Sequence, residues 1–520
     1  MSLATLEAEK ILILDFGSQY TQLIARRLRE LEVYCEILPY KATREQIQGA
    51  RPAGIILSGG PDSVHRAGSP RPDAFVFEAG VPVLGICYGM QLLVALHGGK
   101  VVPSKKREYG HADLEIVADY SPLFADLPKH LRVWMSHGDS AQRLNNGFRV
   151  DARTGSAPFA AISDETKRLY GIQFHPEVAH TPLGSKVLEN FARRICRFEK
   201  RWTMSSLLDT QVAAIRAQVG DHGKVVCALS GGVDSSVAAA LISQAIGSRL
   251  YCIYVDTGLA RHGDRERAEQ VLGQELKLNL KIVDASKLFL GRLKGVSDPE
   301  RKRKIIGKTF IEVFDKEAKR IKGVTFLAQG TLYPDVIESV SVHGPSAVIK
   351  SHHNVGGLPK KMNLRLVEPL RMLFKDEVRR LGKEMGISES LLGAHPFPGP
   401  GLAIRVLGAV TPASLKTLRD ADLILREELK TSGWHDKVWQ AFVVILPSVR
   451  SVGVMGDGRT YENTVVVRCV DSRDGMTADW SRLPYDLLQK ISSRIVSEVK
   501  GVNRVAYDIS SKPPATIEWE

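Results

Sequence analysis

The chain has 520 residues, 44% hydrophobic and 25% charged, with a formal net charge of +13. That length holds about two to four domains with cores of their own. The composition excludes a disordered or fibrous chain, and no apolar run reaches the length of a membrane span. The start, Met1 to Glu7, has neither the basic nor the apolar region of a secretory signal. Six cysteines (35, 87, 196, 227, 252, 469) are scattered without metal-ligand spacing, which fits a reducing cytoplasm.

After an N-terminal extension of residues 1–10, the first region, 11–199, alternates apolar runs with helical patterns. Ile11-Leu12-Ile13-Leu14, Gly54-Ile55-Ile56-Leu57 and Val83-Leu84-Gly85-Ile86 read as buried parallel strands, with a helix pattern from Tyr20 to Leu31 between the first two. This is the signature of a doubly wound α/β domain. Gly85-Ile86-Cys87-Tyr88-Gly89 has the form of a nucleophile elbow with cysteine in the nucleophile position. Such a turn lifts Cys87 off the sheet edge and sets its sulfur at a helix N-terminus, which favours the thiolate. The N–H of Tyr88 is placed to face a developing oxyanion, and Gly59-Gly60-Pro61, after its own strand, can supply a second donor. A thiolate nucleophile needs a base and the base an orienter. His175-Pro176-Glu177 provides both if the segment is extended, because residues two apart then point the same way.

The second region, 200–395, opens on a strand pattern, Lys224 to Leu229, then Ser230-Gly231-Gly232-Val233-Asp234-Ser235-Ser236, then an Ala-rich helix pattern from Val237. A strand that turns through glycines into a helix N-terminus is an anion site. The serines add hydroxyl donors, and Asp234, which would repel a bare phosphate, is suited to hold Mg²⁺. The loop lacks the Lys-Ser/Thr ending of a Walker A loop; Gly307-Lys308-Thr309 exists, but Lys302 stands where that motif needs its first glycine. The basic cluster Arg301-Lys302-Arg303-Lys304 lacks the interleaved aromatics of a single-strand nucleic-acid binder and suits a phosphate-gripping loop. The net charge is compatible with nucleic acid, yet fits equally an enzyme whose substrates are anionic nucleotides.

His395 to Gly401, with three prolines and two glycines, marks the second boundary. The last region, 396–520, mixes helix patterns (Ser414 to Lys430, Tyr485 to Lys500) with strand patterns (Val465 to Val470, Arg504 to Ile509) and reads as a small α+β domain.

Two resemblances rest on these residues. The Gly-Gly-Pro turn, the elbow and His-x-Glu, in that order along the chain, resemble the class I glutamine amidotransferases over residues 11–199. That resemblance implies attack of Cys87 on the glutamine side-chain amide, protonation of departing ammonia by His175, and orientation of His175 by Glu177. Gly60 and Tyr88 would form the oxyanion site, and Gln91, Ser136 and His137 would hold glutamine. The loop from Ser230 to Ser236 resembles that of the PP-loop ATPases, which split ATP between its α and β phosphates. The loop alone leaves amidation and tRNA modification side by side; the amidase half favours amidation, and its intact residue sets count against a scaffold with degenerate sites.

Taken from Ile11 to Glu520, the chain resembles the glutamine-hydrolysing GMP synthase family. The resemblance includes Tyr333 to Ser339, Lys350 to Gly357, His395 to Leu402, Arg450 to Asp457 and the tail from Lys512. It implies glutamine, ATP and xanthosine 5′-monophosphate (XMP) as substrates, with no nucleic-acid or membrane partner. Lys375 would grip pyrophosphate, and Arg303, Lys512, Ile517 and Glu518 would hold XMP. The last region would form a homodimer contact.

Overall fold

A computed structural model describes residues 9–199, 202–340, 364–455, 458–472, 475 and 477–520. Residues 1–8, the motif Lys350 to Gly357 and the end of Arg450 to Asp457 lie outside these. The described residues form two compact units, one within 1–207 and 333–353, the other within 208–332 and 354–520.

Among its described residues the first unit has nine strands: β1 (Lys10–Asp15), β2 (Cys35–Pro39), β3 (Pro52–Leu57), β4 (Val83–Ile86), β5 (Lys100–Ile116), β6 (His130–Arg143), β7 (Arg149–Arg153), β8 (Ala161–Asp164) and β9 (Leu169–Ile172). Their order in the sheet is β2-β1-β3-β4-β9-β8-β7-β5-β6. The strands from β2 through β9 pair in parallel. Ile11, Leu12, Ile13 and Leu14 are all fully buried, as continuous apolar strands covered on both faces must be. Beyond β9 the pairing is antiparallel and ends in the long β5–β6 hairpin. The sequence pattern disclosed β1, β3 and β4, which are solid apolar runs; β2, which carries Glu36, and β9 were not read from it, and the long hairpin of the antiparallel half carries charge. Lys10, assigned to the extension by sequence, is instead the first residue of β1, and its buried amine pairs with Glu36 at 2.9 Å.

Among its described residues the second unit holds two sheets. One is parallel: β10 (Lys224–Leu229), β11 (Leu250–Asp256), β12 (Leu280–Asp284), β13 (Val324–Ala328) and β14 (Arg365–Val367), in the order β12-β11-β10-β13-β14. Chain direction across the sheet reverses at β10, and the crevice beyond the carboxyl ends of β10 and β13 is where such sheets bind ligands. The other sheet contains β15 (Gln440–Met455), β16 (Gly458–Asp471), β17 (Asp479–Trp480) and β18 (Val502–Tyr507), with β18 parallel to β16 and the β15–β16 pair antiparallel. The helix Pro412–Thr431 begins on a Thr411 cap with Pro412 in its first turn and buries Leu415, Leu418, Leu425 and Leu429 along one stripe. That stripe belongs to a core running from Val226 to Val502. Among the described residues no helix is long and apolar enough to cross a membrane.

Candidate active sites

Three adjacent parallel strands, β3, β4 and β9, end on the same edge of the first sheet. Gly59 and Gly60 follow β3, Cys87 follows β4, and His175 follows β9, so sheet topology alone gathers residues far apart in sequence.

Cys87 sits at φ 51° and ψ −104°, immediately before the helix Tyr88–Leu96. A non-glycine residue there is strained, by about 1–3 kcal/mol, and persists only where its surroundings hold it. Those surroundings are tight. The Cys87 N–H donates to Ile172 O at 2.8 Å. A Cβ on Gly89 would lie 2.3 Å from Leu57 O, and one on Gly85 would lie 2.5 Å from the Gly89 backbone. Both glycines are required for the helix to lie so close to the strands. A Cβ on Gly60 would stand 3.5 Å from the Tyr88 ring, and one on Gly59 3.3 Å from His175 Cε1. Gly60, Tyr88 and His175 thus surround the elbow.

His175 Nδ1 donates to Glu177 Oε1 at 2.7 Å, and both residues are buried. Strand β9 stops at Ile172, so this pair lies in a turn and not in the extended segment expected from sequence. Other bonds fix the geometry: the His175 N–H donates to Trp134 O at 3.0 Å, and Thr181 Oγ1 donates to His175 O at 2.7 Å. Burial opposes charging of His175, but the Glu177 carboxylate and hydrogen bonds with Cys87 and Glu177 outweigh it and hold its pKa well above the ordinary value. Burial pushes the thiols of Cys252 and Cys469 up to about 12, which keeps them inert.

The glutamine-holding candidates divide. Gln91 Nε2 donates to Asp139 O at 3.0 Å and to Gln173 Oε1 at 3.4 Å. The Ser136 carbonyl accepts from Cys87 Sγ at 3.7 Å. His137 is beside them, but its Nδ1 faces Asp139 O at 3.0 Å and its Nε2 faces Glu108 Oε2 at 3.2 Å, so its ring braces the hairpin. Burial raises the Glu108 pKa, yet bonds from His137 and Ser156 bring it below the ordinary value.

In the second unit β10 turns through Gly231, at φ +74°, into the helix Val233–Ile246. Ser230 Oγ and Ser235 Oγ lie 3.2 Å apart, Ser236 Oγ donates to Gly232 O at 2.8 Å, and Ser230 Oγ accepts from Gly232 N–H at 3.3 Å. Asp234 stands in the first turn of that helix. Lys375, first residue of the helix Lys375–Glu384, brings its amine to 3.8 Å from Asp234 Oδ2. Gly330, after β13, abuts the Asp234 backbone: a Cβ there would be 3.4 Å away. The loop, Asp234 and Lys375 therefore share the crevice at the β10 and β13 ends.

The remaining candidates lie along the tail. Arg303 belongs to the helix Pro299–Ala318, not to a loop, and donates to Glu520 O at 2.5 Å. Its neighbour Lys302 is fully buried and donates to Val406 O at 2.7 Å. Lys512 Nζ donates to Gly475 O at 2.7 Å. Ile517 is buried against Phe442 and Val466, and Trp519, partly exposed, donates from its indole to Asp508 at 2.8 Å. Glu518 is held at 2.8 Å by Arg405, whose buried guanidinium lies over the Phe442 ring, and at 2.9 Å by Gln440.

Sequence reasoning missed Gln173, Arg405 and Gln440. Nothing in the sequence marked them: Gln173 stands two residues before His175, but β9 ends at Ile172, so that spacing carries no signature.

An elbow cysteine beside a histidine held by a buried carboxylate, and a phosphate loop on a second sheet, define an ATP-dependent glutamine amidotransferase. Residues 12–195 match the family described as Glutamine amidotransferase class-I, 207–302 that described as NAD synthase, and 427–519 that described as GMP synthase C terminal domain. The chain is 63% identical over 512 residues to the glutamine-hydrolysing GMP synthase of Elusimicrobium minutum, covering 98% of this chain and 100% of that protein. It is 58% identical over 513 residues to that of Sulfurimonas denitrificans (98% and 99% covered), and 56% over 515 residues to that of Aquifex aeolicus (99% and 100%). The chain belongs to the glutamine-hydrolysing GMP synthase family.

Proposed function

We propose that the chain converts ATP, XMP, glutamine and water into AMP, pyrophosphate, GMP and glutamate, with the labour divided between the two sites described. The observation that carries this reading is the presence, in one chain matched end to end by its relatives, of the Cys87-His175-Glu177 cluster and the Ser230–Ser236 loop.

At the first site the Cys87 thiolate attacks the carboxamide carbon of glutamine. The C–N bond breaks, the departing nitrogen takes the His175 proton, and ammonia leaves a thioester. Water, losing a proton to His175, hydrolyses the thioester to glutamate and restores the thiol. The N–H groups of Gly60 and Tyr88 stabilise the oxyanion of each tetrahedral intermediate, and Gln91 and Ser136 line the glutamine pocket.

At the second site the O2 of XMP attacks the α-phosphorus of ATP and pyrophosphate departs. Ammonia then adds at C2, and AMP leaves with the oxygen. The serine hydroxyls and the helix N-terminus hold the pyrophosphate, and Lys375 supplies a positive charge beside it. Asp234 with phosphate oxygens fits Mg²⁺, which takes one or two carboxylates alongside substrate phosphates and, when bound, neutralises pyrophosphate charge. Arg303, Lys512, Ile517 and Glu518 form the XMP side, with Glu518 fixed by Arg405 and Gln440.

The division is tested by two substitutions. Cys87→Ala is expected to abolish GMP formation from glutamine yet keep formation from ammonium salts, and Asp234→Ala to lower both by about a hundredfold or more. Joint loss of both activities in Cys87→Ala, in a folded protein, would contradict the division.

A further inference from the structure

We propose that Gln173 is a further catalytic residue of the glutaminase step, its carboxamide N–H donating to the Cys87 sulfur and stabilising the thiolate; this rests on Cys87 being the glutamine nucleophile. Gln173 Nε2 lies 3.6 Å from Cys87 Sγ, and the residue is buried. The place follows from strand register: Gly85 pairs with Gly171 and Ile86 with Ile172, so the residues leaving the two strands, Cys87 and Gln173, emerge side by side.

The orientation of the amide follows from its neighbours. Asp139 O can only accept, so the group of Gln91 facing it at 3.0 Å is the NH₂. That same NH₂ faces Gln173 at 3.4 Å and has a hydrogen to give, so the Gln173 atom it meets is the carbonyl oxygen. The Gln173 nitrogen is then the atom turned toward sulfur. A chain of donors runs from Gln91 through Gln173 to Cys87, opposite in charge preference to the thiol bond, in which Cys87 donates to Ser136 O. When Cys87 loses its proton the Ser136 bond is lost and the Gln173 bond gains, as hydrogen bonds to charged groups do. The thioester sulfur carries no charge, so Gln173 acts on the nucleophile and not on the intermediate.

Gln173→Leu and Gln173→Met both remove the donor with different shapes. Alkylation of Cys87 by iodoacetamide, located by mass spectrometry and followed against pH, reads the thiolate directly. The half-point is expected to rise by about one pH unit in either folded variant, a tenfold smaller thiolate fraction at lower pH. Glutaminase activity falls, while GMP formation from ammonium salts stays at the parent level. Profiles that superimpose on the parent's, at any glutaminase activity, would overturn the proposal. A parent enzyme that keeps its glutaminase activity after Cys87 is fully alkylated would instead overturn the assignment of the nucleophile.

Discussion

Strain at Cys87 and charge at His175 are two ends of one arrangement. The turn that holds Cys87 at φ 51° presents its sulfur to an imidazole whose proton Glu177 retains. Removing the Glu177 charge lowers the His175 pKa, because that charge is the main influence raising it against burial. Glu177→Gln is therefore expected to move the alkaline limb of glutaminase kcat to lower pH and to lower kcat roughly a hundredfold, with ammonium-driven synthesis intact. An unmoved limb would contradict this. The stability effect has the same sign. A histidine pKa raised in the folded state contributes stability that is fully present below the unfolded value of about 6.5 and is lost as pH rises through the folded value. The penalty of Glu177→Gln in thermal melts should accordingly be largest in acid and fade in alkali. At this scale Cys87, His175 and Glu177 were legible in the sequence because a motif demands those residue types at those spacings. Gln173 was not, because its place depends on the β4–β9 register and a glutamine beside a strand end carries no signature.

Elements decide which residues meet. The elbow, the Gly59-Gly60 turn and the His175 turn converge because β3, β4 and β9 are neighbours. β1, β3 and β4 were legible as solid apolar runs, and the phosphate loop as a glycine turn between a strand and an Ala-rich helix; β2, with Glu36 in its middle, was not. The antiparallel half of the first sheet was not, since the β5–β6 hairpin mixes lysines, glutamates and histidines into its strands. Another hairpin bears on assembly. In β15–β16 alternate residues face opposite ways: Ser451 and Gly453 face Asn503 and Arg504, while Val454, 76% exposed, and Tyr461, 60% exposed, face away with Val452. An apolar patch of this kind supports the proposed homodimer contact. Val452→Asp with Val454→Asp is expected to convert a dimer to a monomer in sedimentation equilibrium; an unchanged mass at micromolar concentration would remove this hairpin from the interface.

The whole molecule joins a site that releases ammonia to one that consumes it. Neither half alone identifies the product: the glutaminase cluster supplies nitrogen to any acceptor, and the loop adenylates any suitable oxygen. Their coexistence restricts the acceptor to an oxygen that ammonia can displace. The tail, fixed by Arg405, Arg468 and Asp508, carries Lys512, Ile517 and Glu518, and Arg303 reaches its end from a helix; these are the residues proposed to choose XMP. The net charge of +13 suits substrates that are all anionic nucleotides except glutamine. The direct test is release of pyrophosphate by the purified chain with ATP, glutamine and Mg²⁺, with and without XMP. Pyrophosphate, AMP and GMP formed in equal amounts, and only with XMP, is the predicted result. ATP turnover that ignores XMP, or that requires tRNA in its place, would contradict the account.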